Sequence, residues 1–358
     1  MKKIAVSLFA AVMLTGLILP LTALTAQDAM SVSAHHAALY EPVTGTFLYE
    51  KNGTERAPMA STTKIMTALV ALEAGELDRE IVIPKEACGI EGSSIYMEPG
   101  ERLTLRQLLY ALLLQSANDA ATAIAIAIGG DTAGFAQMMN EQAAALGLQD
   151  THFTNPHGLD DPEHYTTARD LAKIAAAAME LPEFREMVGT VKYTIPHGND
   201  GDTRVLVNHN RLLRLYQDAV GIKTGFTKKS GRCLVGAACR NGLTLISVTL
   251  DAPNDWNDHI RLFDFGFSKM ENRLLCPAGG FHYSLPVIGR QDTVAYCTNS
   301  EDAYGILPVD AEAPELRVDL PHFLTSTPRE GAVVGTLRFY AGDRLVSEVP
   351  IVISTPKE

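Results

Sequence analysis

The chain has 358 residues, enough for two domains, and its 46% hydrophobic and 20% charged content is ordinary for a globular protein. A formal net charge of -12 with no basic run excludes a nucleic-acid binder, which would carry a basic face. Five cysteines (Cys88, Cys233, Cys239, Cys276 and Cys297) are too few and too scattered for a disulfide framework, and none has metal-site spacing. Cys276 with Cys297 is the one candidate bridge. Cys233 and Cys239 fall on one face of an expected strand without bonding.

Lys2-Lys3 opens the N-terminus, residues 4–24 are uncharged and mostly apolar, and small residues Ala23, Thr25 and Ala26 precede Gln27-Asp28. This is the pattern of a secretory signal peptide over 1–26. An uncleaved anchor is the alternative, since about 20 apolar residues can span a bilayer. Either reading places the chain outside the cytoplasm, secreted or associated with the cell envelope.

Strand-like runs at 37–41 and 45–49 flank Pro42-Val43-Thr44 and read as a hairpin. A loop over 51–59 then delivers Ala60-Ser61-Thr62-Thr63-Lys64 at the head of an apolar run, 65–74, a buried helix that stops at Gly75. A serine and a lysine three apart on a helix share a face. A serine hydroxyl becomes a good nucleophile only when a base takes its proton. A lysine is such a base only when burial or a second cation lowers its pKa. Residues 82–97 form a polar loop rich in glycine and serine. A helix over 103–114, capped by Thr104, is apolar on nearly all sides, and a second follows over 120–128. The polar turn between them turns Ser116 and Asn118 toward one cleft; as a plain turn, Asn118 would cap the second helix instead.

Residues 131–146 are an amphipathic helix, and 155–161 are dense turn chemistry in which His157 reads as structural rather than as a general base. Thr167 caps a helix over 168–179. Runs at 206–210 and 220–225 precede strands at 233–238 and 243–250, joined across Asn241-Gly242, the strongest hairpin signal. This makes an antiparallel sheet with Lys223 at the end of one strand. A helix over about 255–265 closes the first domain. From Pro277 the composition shifts to strand-like segments at 281–287, 293–296, 315–320, 332–340 and 345–353, with a turn at Ala341-Gly342-Asp343: a small β domain, a partner or spacer module.

Ser61-Thr62-Thr63-Lys64, Ser116-Ala117-Asn118 and Lys223-Thr224-Gly225 stand in one order, and these are the signature motifs of penicillin-binding proteins and class A β-lactamases. With the stretches 92–97, 108–121, 155–160 and 221–227, the chain resembles the low-molecular-mass penicillin-binding proteins, the serine-type D-alanyl-D-alanine carboxypeptidases. The likeness covers about 37–270 and continues, more weakly, into the β domain. It implies an α/β (α+β) β-lactamase/transpeptidase-like domain over 27–275 and a small all-β sandwich over 276–358. It implies peptidoglycan stem peptides ending in D-Ala-D-Ala as substrate and β-lactams as inhibitors, with no metal or cofactor. It also implies a catalytic set, Ser61, Lys64 and Ser116, and a substrate-binding set, Asn118, Lys223, Thr224, Gly225 and Phe226. In that scheme Lys64 deprotonates Ser61 beside the cation of Lys223, and Ser116, held by Asn118, relays a proton to the leaving amine. Lys223 and Thr224 hold the terminal carboxylate, and the N–H groups of Ser61 and Phe226 form an oxyanion hole.

Two departures stand out. Phe226 occupies a position where some members carry a polar residue. Ser-Thr-Pro-Lys-Glu follows Ile353 where many members end in an amphipathic membrane helix, so attachment would rest on an uncleaved N-terminus or be absent. A serine β-lactamase would need a deacylating glutamate, for which Glu163 is the nearby residue, without the Glu-x-x-Leu-Asn pattern. A D,D-endopeptidase acting on cross-links is a further alternative. So is a non-catalytic penicillin or peptidoglycan sensor whose β domain meets a membrane-surface or cell-wall partner.

Overall fold

The computed structural model describes residues 30–198, 201–288, 294–326 and 328–354. The expected signal peptide lies outside them, as does Thr293 at the start of one expected strand. The described residues from Ser31 onward belong to one compact unit. Among the described residues no helix is long and apolar enough to cross a membrane.

The first hairpin forms from β1 (His36–Glu41) and β2 (Thr46–Lys51), paired antiparallel. The chain then makes a 3-10 turn, Ala60–Thr63, that runs into α1 (Lys64–Glu73). Ser61 therefore sits in the tighter turn that feeds the helix, not in the helix; residues three apart eclipse there, so Ser61 and Lys64 still share a side. β3 (Glu80–Val82) and β4 (Arg102–Thr104) form a ribbon that brackets the polar loop. α2 (Leu105–Leu114) starts with a capping box, in which Thr104 Oγ1 accepts from Gln107 N and Gln107 Oε1 accepts from Thr104 N. α3 (Asn118–Gly129) begins two residues before the apolar run, with Ala117 at the cap, which leaves the Asn118 side chain free for other work. α4 (Thr132–Ala145) is capped by Asp131 and α5 (Ala168–Glu180) by Thr167.

The sequence pattern does not announce α6 (Pro182–Gly189) or the exposed ribbon of β5 (Lys192–His197) and β6 (Asp202–Val207). After the short α7 (Leu212–Leu215) come β7 (Ala219–Thr227), β8 (Gly231–Arg240), β9 (Leu243–Leu250) and α8 (Asp255–Lys269). Lys223 lies in the middle of β7 rather than at a strand end. The strands form one antiparallel sheet in the order β2-β1-β9-β8-β7, with β7 at an edge. Alternation along each strand serves two layers. Ala38, Val235 and Val248 join the core built with the helices, which includes Leu69, Leu109, Ile124 and Leu171. The opposite face meets α8: Leu39 and Leu245 lie against Gly266, and Ser247 Oγ is 2.6 Å from His259 Nδ1.

The chain leaves α8 directly into β10 (Met270–Cys276), followed by β11 (Tyr283–Pro286), β12 (Val294–Asn299), β13 (Ala303–Pro308), β14 (Glu315–Asp319), β15 (Val333–Ala341) and β16 (Arg344–Ser354). Five of these form a sheet in the order β11-β12-β16-β15-β14, and β10 pairs with β13 as a ribbon. The ribbon lies against β16, with Gly305 beside Val346, and a separate apolar core includes Leu285, Cys297, Leu337, Phe339 and Ile351. All five cysteines are free, so the candidate Cys276–Cys297 bridge is not formed. Cys233 is buried and Cys239 exposed despite their even spacing, because Cys239 lies where the strand runs out toward its turn.

Two sets of contacts fix the walls around Ser61. The turn over 155–161 packs behind it: Thr67 Oγ1 donates to Pro156 O (2.6 Å), and Thr63 Oγ1 donates to Ala60 O (2.8 Å) and meets His164 Nε2 (2.8 Å). Gly158, at φ +87°, comes so close that a Cβ would run into the Ala60 carbonyl. On the other side, Arg204 from β6 forks onto the buried Glu101 carboxylate (Nη2 to Oε2 2.9 Å) and also donates to Tyr96 O (3.0 Å), pinning the polar loop to the β5–β6 ribbon.

Burial pushes the Glu101 carboxyl up, but Arg204 and the N–H groups of Glu98 and Gly198 outweigh it and hold the group below its ordinary value. We predict that Arg204→Met, which leaves this carboxylate buried without its cation, lowers the unfolding free energy by about 3 kcal/mol at neutral pH in a denaturant titration. A carboxyl with a depressed folded pKa stabilises above its unfolded value and loses that stabilisation as pH falls through the folded one. The gap between the two proteins should therefore narrow below about pH 4, and an undiminished gap in acid would contradict this assignment.

Candidate active site

Three segments meet at the head of α1. Lys64 is fully buried, and its Nζ lies 3.0 Å from Ser61 Oγ, 2.7 Å from Asn118 Oδ1 and 2.6 Å from His157 O. The last two are carbonyl oxygens and can only accept. A neutral amine has two N–H donors and one lone pair. With both N–H groups given to Asn118 and His157, the lone pair is left for Ser61, whose hydroxyl can then donate to it. The geometry thus aims a base at the serine, provided the amine is neutral.

Electrostatics favour that form. Burial, and then the nearby Lys223, hold the Lys64 amine well below lysine's ordinary value; Asp119 pulls the other way. The Asp119 carboxylate is itself occupied: it accepts from Ser94 Oγ (2.6 Å), from Ala120 N (2.9 Å) and, at longer range, from the N–H groups of Ile95 and Met97. Lys223 is also buried, which lowers it to about 7, and its Nζ donates to Thr224 O (2.9 Å). His157, the residue read as structural, contributes a backbone carbonyl. Its ring is held neutral by burial, then by Lys64 and His164, with its pKa at about 3.

Ser116 is nearly buried and sits at φ +59°, in the left-handed region, at the turn between α2 and α3. Among the described residues no side chain hydrogen-bonds Ser116 Oγ. The expectation that Asn118 steadies Ser116 is therefore replaced by a different arrangement. Asn118 spends its oxygen on Lys64 and its amide nitrogen on Glu91 O (2.5 Å). An open cleft of about 330 Å³ is lined by Ser61, Ser93 and Ser116 on the helical side and by Thr224, Gly225 and Phe226 from β7. A Cβ at Gly225 would lie 3.0 Å from Ser61 N and 3.1 Å from Thr62 N, so the strand runs directly along the serine turn. Phe226 is 65% exposed.

Sequence reasoning missed two parts of this site. One is the His157 carbonyl, for which the Asn155-Pro156-His157-Gly158 turn was the only signal. The other is Arg232, at the start of β8 opposite Phe226, which lines the cleft with a half-exposed guanidinium. The buried Asp255 holds it at 2.9 Å, and it lies 5.7 Å over the Trp256 ring. Glu163, the residue a β-lactamase reading needs, lines a separate surface pocket with Arg56 and Lys229.

The sequence profile of the D-alanyl-D-alanine carboxypeptidase peptidases matches residues 22–254. The chain is 34% identical over 328 residues to the D-alanyl-D-alanine carboxypeptidase DacF of Bacillus subtilis, covering 89% of this chain and 84% of that protein. Its fold is similar to the crystal structure of the Streptomyces K15 DD-transpeptidase (TM-score 0.63, 35% identity, 66% of this chain and 98% of the other). It is also similar to the D-alanyl-D-alanine carboxypeptidase DacD of Francisella tularensis (TM-score 0.62, 26% identity, 91% and 94%). The motifs, the α/β architecture and the profile agree, and the chain belongs to the D-alanyl-D-alanine carboxypeptidase family.

Proposed function

We propose that the protein is a serine-type D-Ala-D-Ala carboxypeptidase that removes the terminal D-Ala from peptidoglycan stem peptides through an ester on Ser61, and that β-lactams acylate the same oxygen. The observation that carries this reading is the Lys64 amine held between two carbonyls with its nitrogen 3.0 Å from Ser61 Oγ. Ser61 Oγ attacks the carbonyl carbon of the penultimate D-Ala while Lys64 takes the hydroxyl proton. The N–H groups of Ser61 and Phe226 receive the negative oxygen; one such donor is typically worth about 3 kcal/mol. The C–N bond then breaks, and the proton on Lys64 passes through Ser116 to the departing amine. Water attacks the ester with Lys64 again as base, releasing the shortened peptide and restoring the serine.

Thr224 and Lys223 meet the terminal carboxylate in this scheme. Arg232 adds a charge that does not titrate near neutral pH. Asn118 serves as a positioning residue for Lys64. The division into residues 27–275, which hold the site, and 276–358, as a module toward the envelope, is part of the same reading. It is supported by the two separate apolar cores. Export through the N-terminal segment would deliver the enzyme to peptidoglycan.

The direct test is D-alanine release from a muropeptide pentapeptide by the protein without residues 1–26, beside Ser61→Ala. Release by the first and none by the second is expected; labelled penicillin bound covalently without any release would favour an endopeptidase or a sensor. A pH profile probes the base. Asn118→Asp sets an anion 2.7 Å from the Lys64 amine, favours the ammonium and should move the rising limb of penicillin acylation to higher pH. An unmoved limb would argue that Lys64 is not the group titrating. Arg232→Ala should raise KM for a peptide ending in a free carboxylate by roughly tenfold, the scale of one charge-assisted hydrogen bond. It should change KM for the corresponding C-terminal amide far less; equal losses on both would remove Arg232 from carboxylate recognition.

A further inference from the structure

β14 is the least covered strand among the described residues. All five of its residues are exposed, and it is an edge of its sheet. Leu316 and Val318 are each 44% exposed, although they stand opposite Phe339 and Leu337, which are buried in the C-terminal core. Residues directly opposite in an antiparallel pair share a face. Leu316 and Val318 therefore carry the apolar inner face of the sheet beyond the part that the β10–β13 ribbon covers. Glu315, Arg317 and Asp319 lie on the other face. There Arg317 bonds Glu315 (2.9 Å) and lies 4.4 Å over Tyr340, and Arg338 reaches Asp319 (3.4 Å) and Glu348 (2.6 Å). An edge strand leaves half of its N–H and C=O groups facing outward, a template for another strand. The opposite edge, β11, contains Pro286 and so lacks one donor. β14 has no proline inside it.

We propose that β14 is a self-pairing surface: two copies of this chain join antiparallel through it, about a two-fold axis at Val318, and merge their C-terminal sheets. The order Glu315-Leu316-Arg317-Val318-Asp319 selects this register. With Val318 opposite its own copy, Arg317 faces Asp319 twice across the axis, and Leu316 faces Leu320, so both faces match. Moving the axis to Arg317 sets Glu315 against Asp319 and Arg317 against itself. Moving it to Leu316 puts Val318 opposite Pro314. A half-step shift would set charged residues against apolar ones. Pro314 and Pro321 bracket the strand and end the pairing after a few residues. A two-fold contact consumes the same edge on both copies and closes as a dimer instead of growing into a fibre. The contact is small beside the roughly 1,200 Å² of stable complexes, so the dimer is weak and depends on concentration.

Disulfide trapping at the axis tests this. Val318→Cys, in a Cys239→Ser and Cys276→Ser background and with copper-phenanthroline as oxidant, should yield a disulfide-linked dimer. Leu316→Cys, whose copies do not face each other, should yield several-fold less. Adding Arg317→Asp to Val318→Cys sets aspartate against aspartate and should cut the yield several-fold; adding Asp319→Arg as well should restore it. Labelled penicillin measures the folded fraction of each variant, and yields are compared per labelled molecule. No dimer from Val318→Cys, equal trapping at 316 and 318, or a charge exchange that fails to restore trapping would each overturn the proposal.

Discussion

The cost of burying an amine organises this molecule. An ammonium removed from water without a counter-charge costs several kcal/mol, and Lys64 has no accessible surface at all. The site is arranged so that the neutral form is the cheaper one. Its hydrogen-bond needs are met by two carbonyl oxygens, the neighbouring charge that weighs most on it is another lysine, and the carboxylate that opposes this is already bonded to the loop over 94–97. A lysine on the surface three residues from a serine would have none of these properties.

The rest of the architecture supplies the pieces from distant parts of the chain. The turn before α1 carries the serine, the turn before α3 carries Ser116 and Asn118, and the Asn155-Pro156-His157-Gly158 turn supplies the carbonyl. Each approaches closely only because a neighbour gives way: Gly158 behind the serine turn and Gly225 in front of it leave no room for a side chain. Ser116 holds a backbone conformation that L-residues rarely adopt, and such strain persists only where the surroundings over-determine it. The two buried helices on either side of that turn do so.

Much of this was legible in the sequence, and the reasons are particular. The spacing of Ser61 and Lys64, the order of the three motifs, the Asn241-Gly242 turn and the strand-like runs over 332–340 and 345–353 are local patterns with direct geometric meaning. Thr104 and Thr167 cap the helices they precede because side-chain capping is a short-range interaction. What could not be read was the partner of each polar group. Asn118 next to an Ala-rich helix looks like a cap, yet its oxygen lies on a lysine from another helix. The His157 carbonyl is a backbone atom that every residue has, so no side-chain pattern marks it. Arg232 and Arg204 are single charges in strands, and only tertiary contact separates one that lines a cleft from one that anchors a ribbon. The β5–β6 ribbon escaped because Ile195 and Leu206 are its only fully buried residues, too few to set an alternating pattern.

The placement of the serine beside β7 has a consequence for how the protein avoids misassembly. An open sheet edge invites strands from other molecules, and a catalytic cleft at such an edge would ordinarily be an aggregation hazard. Here the serine turn lies along the edge at Gly225, and α6 presses on it near Gly221. What remains is a short stretch of edge flanked on both sides by other parts of the same fold. The contacts that hold the strand beside the serine thus also leave less of its edge open to strands from other molecules.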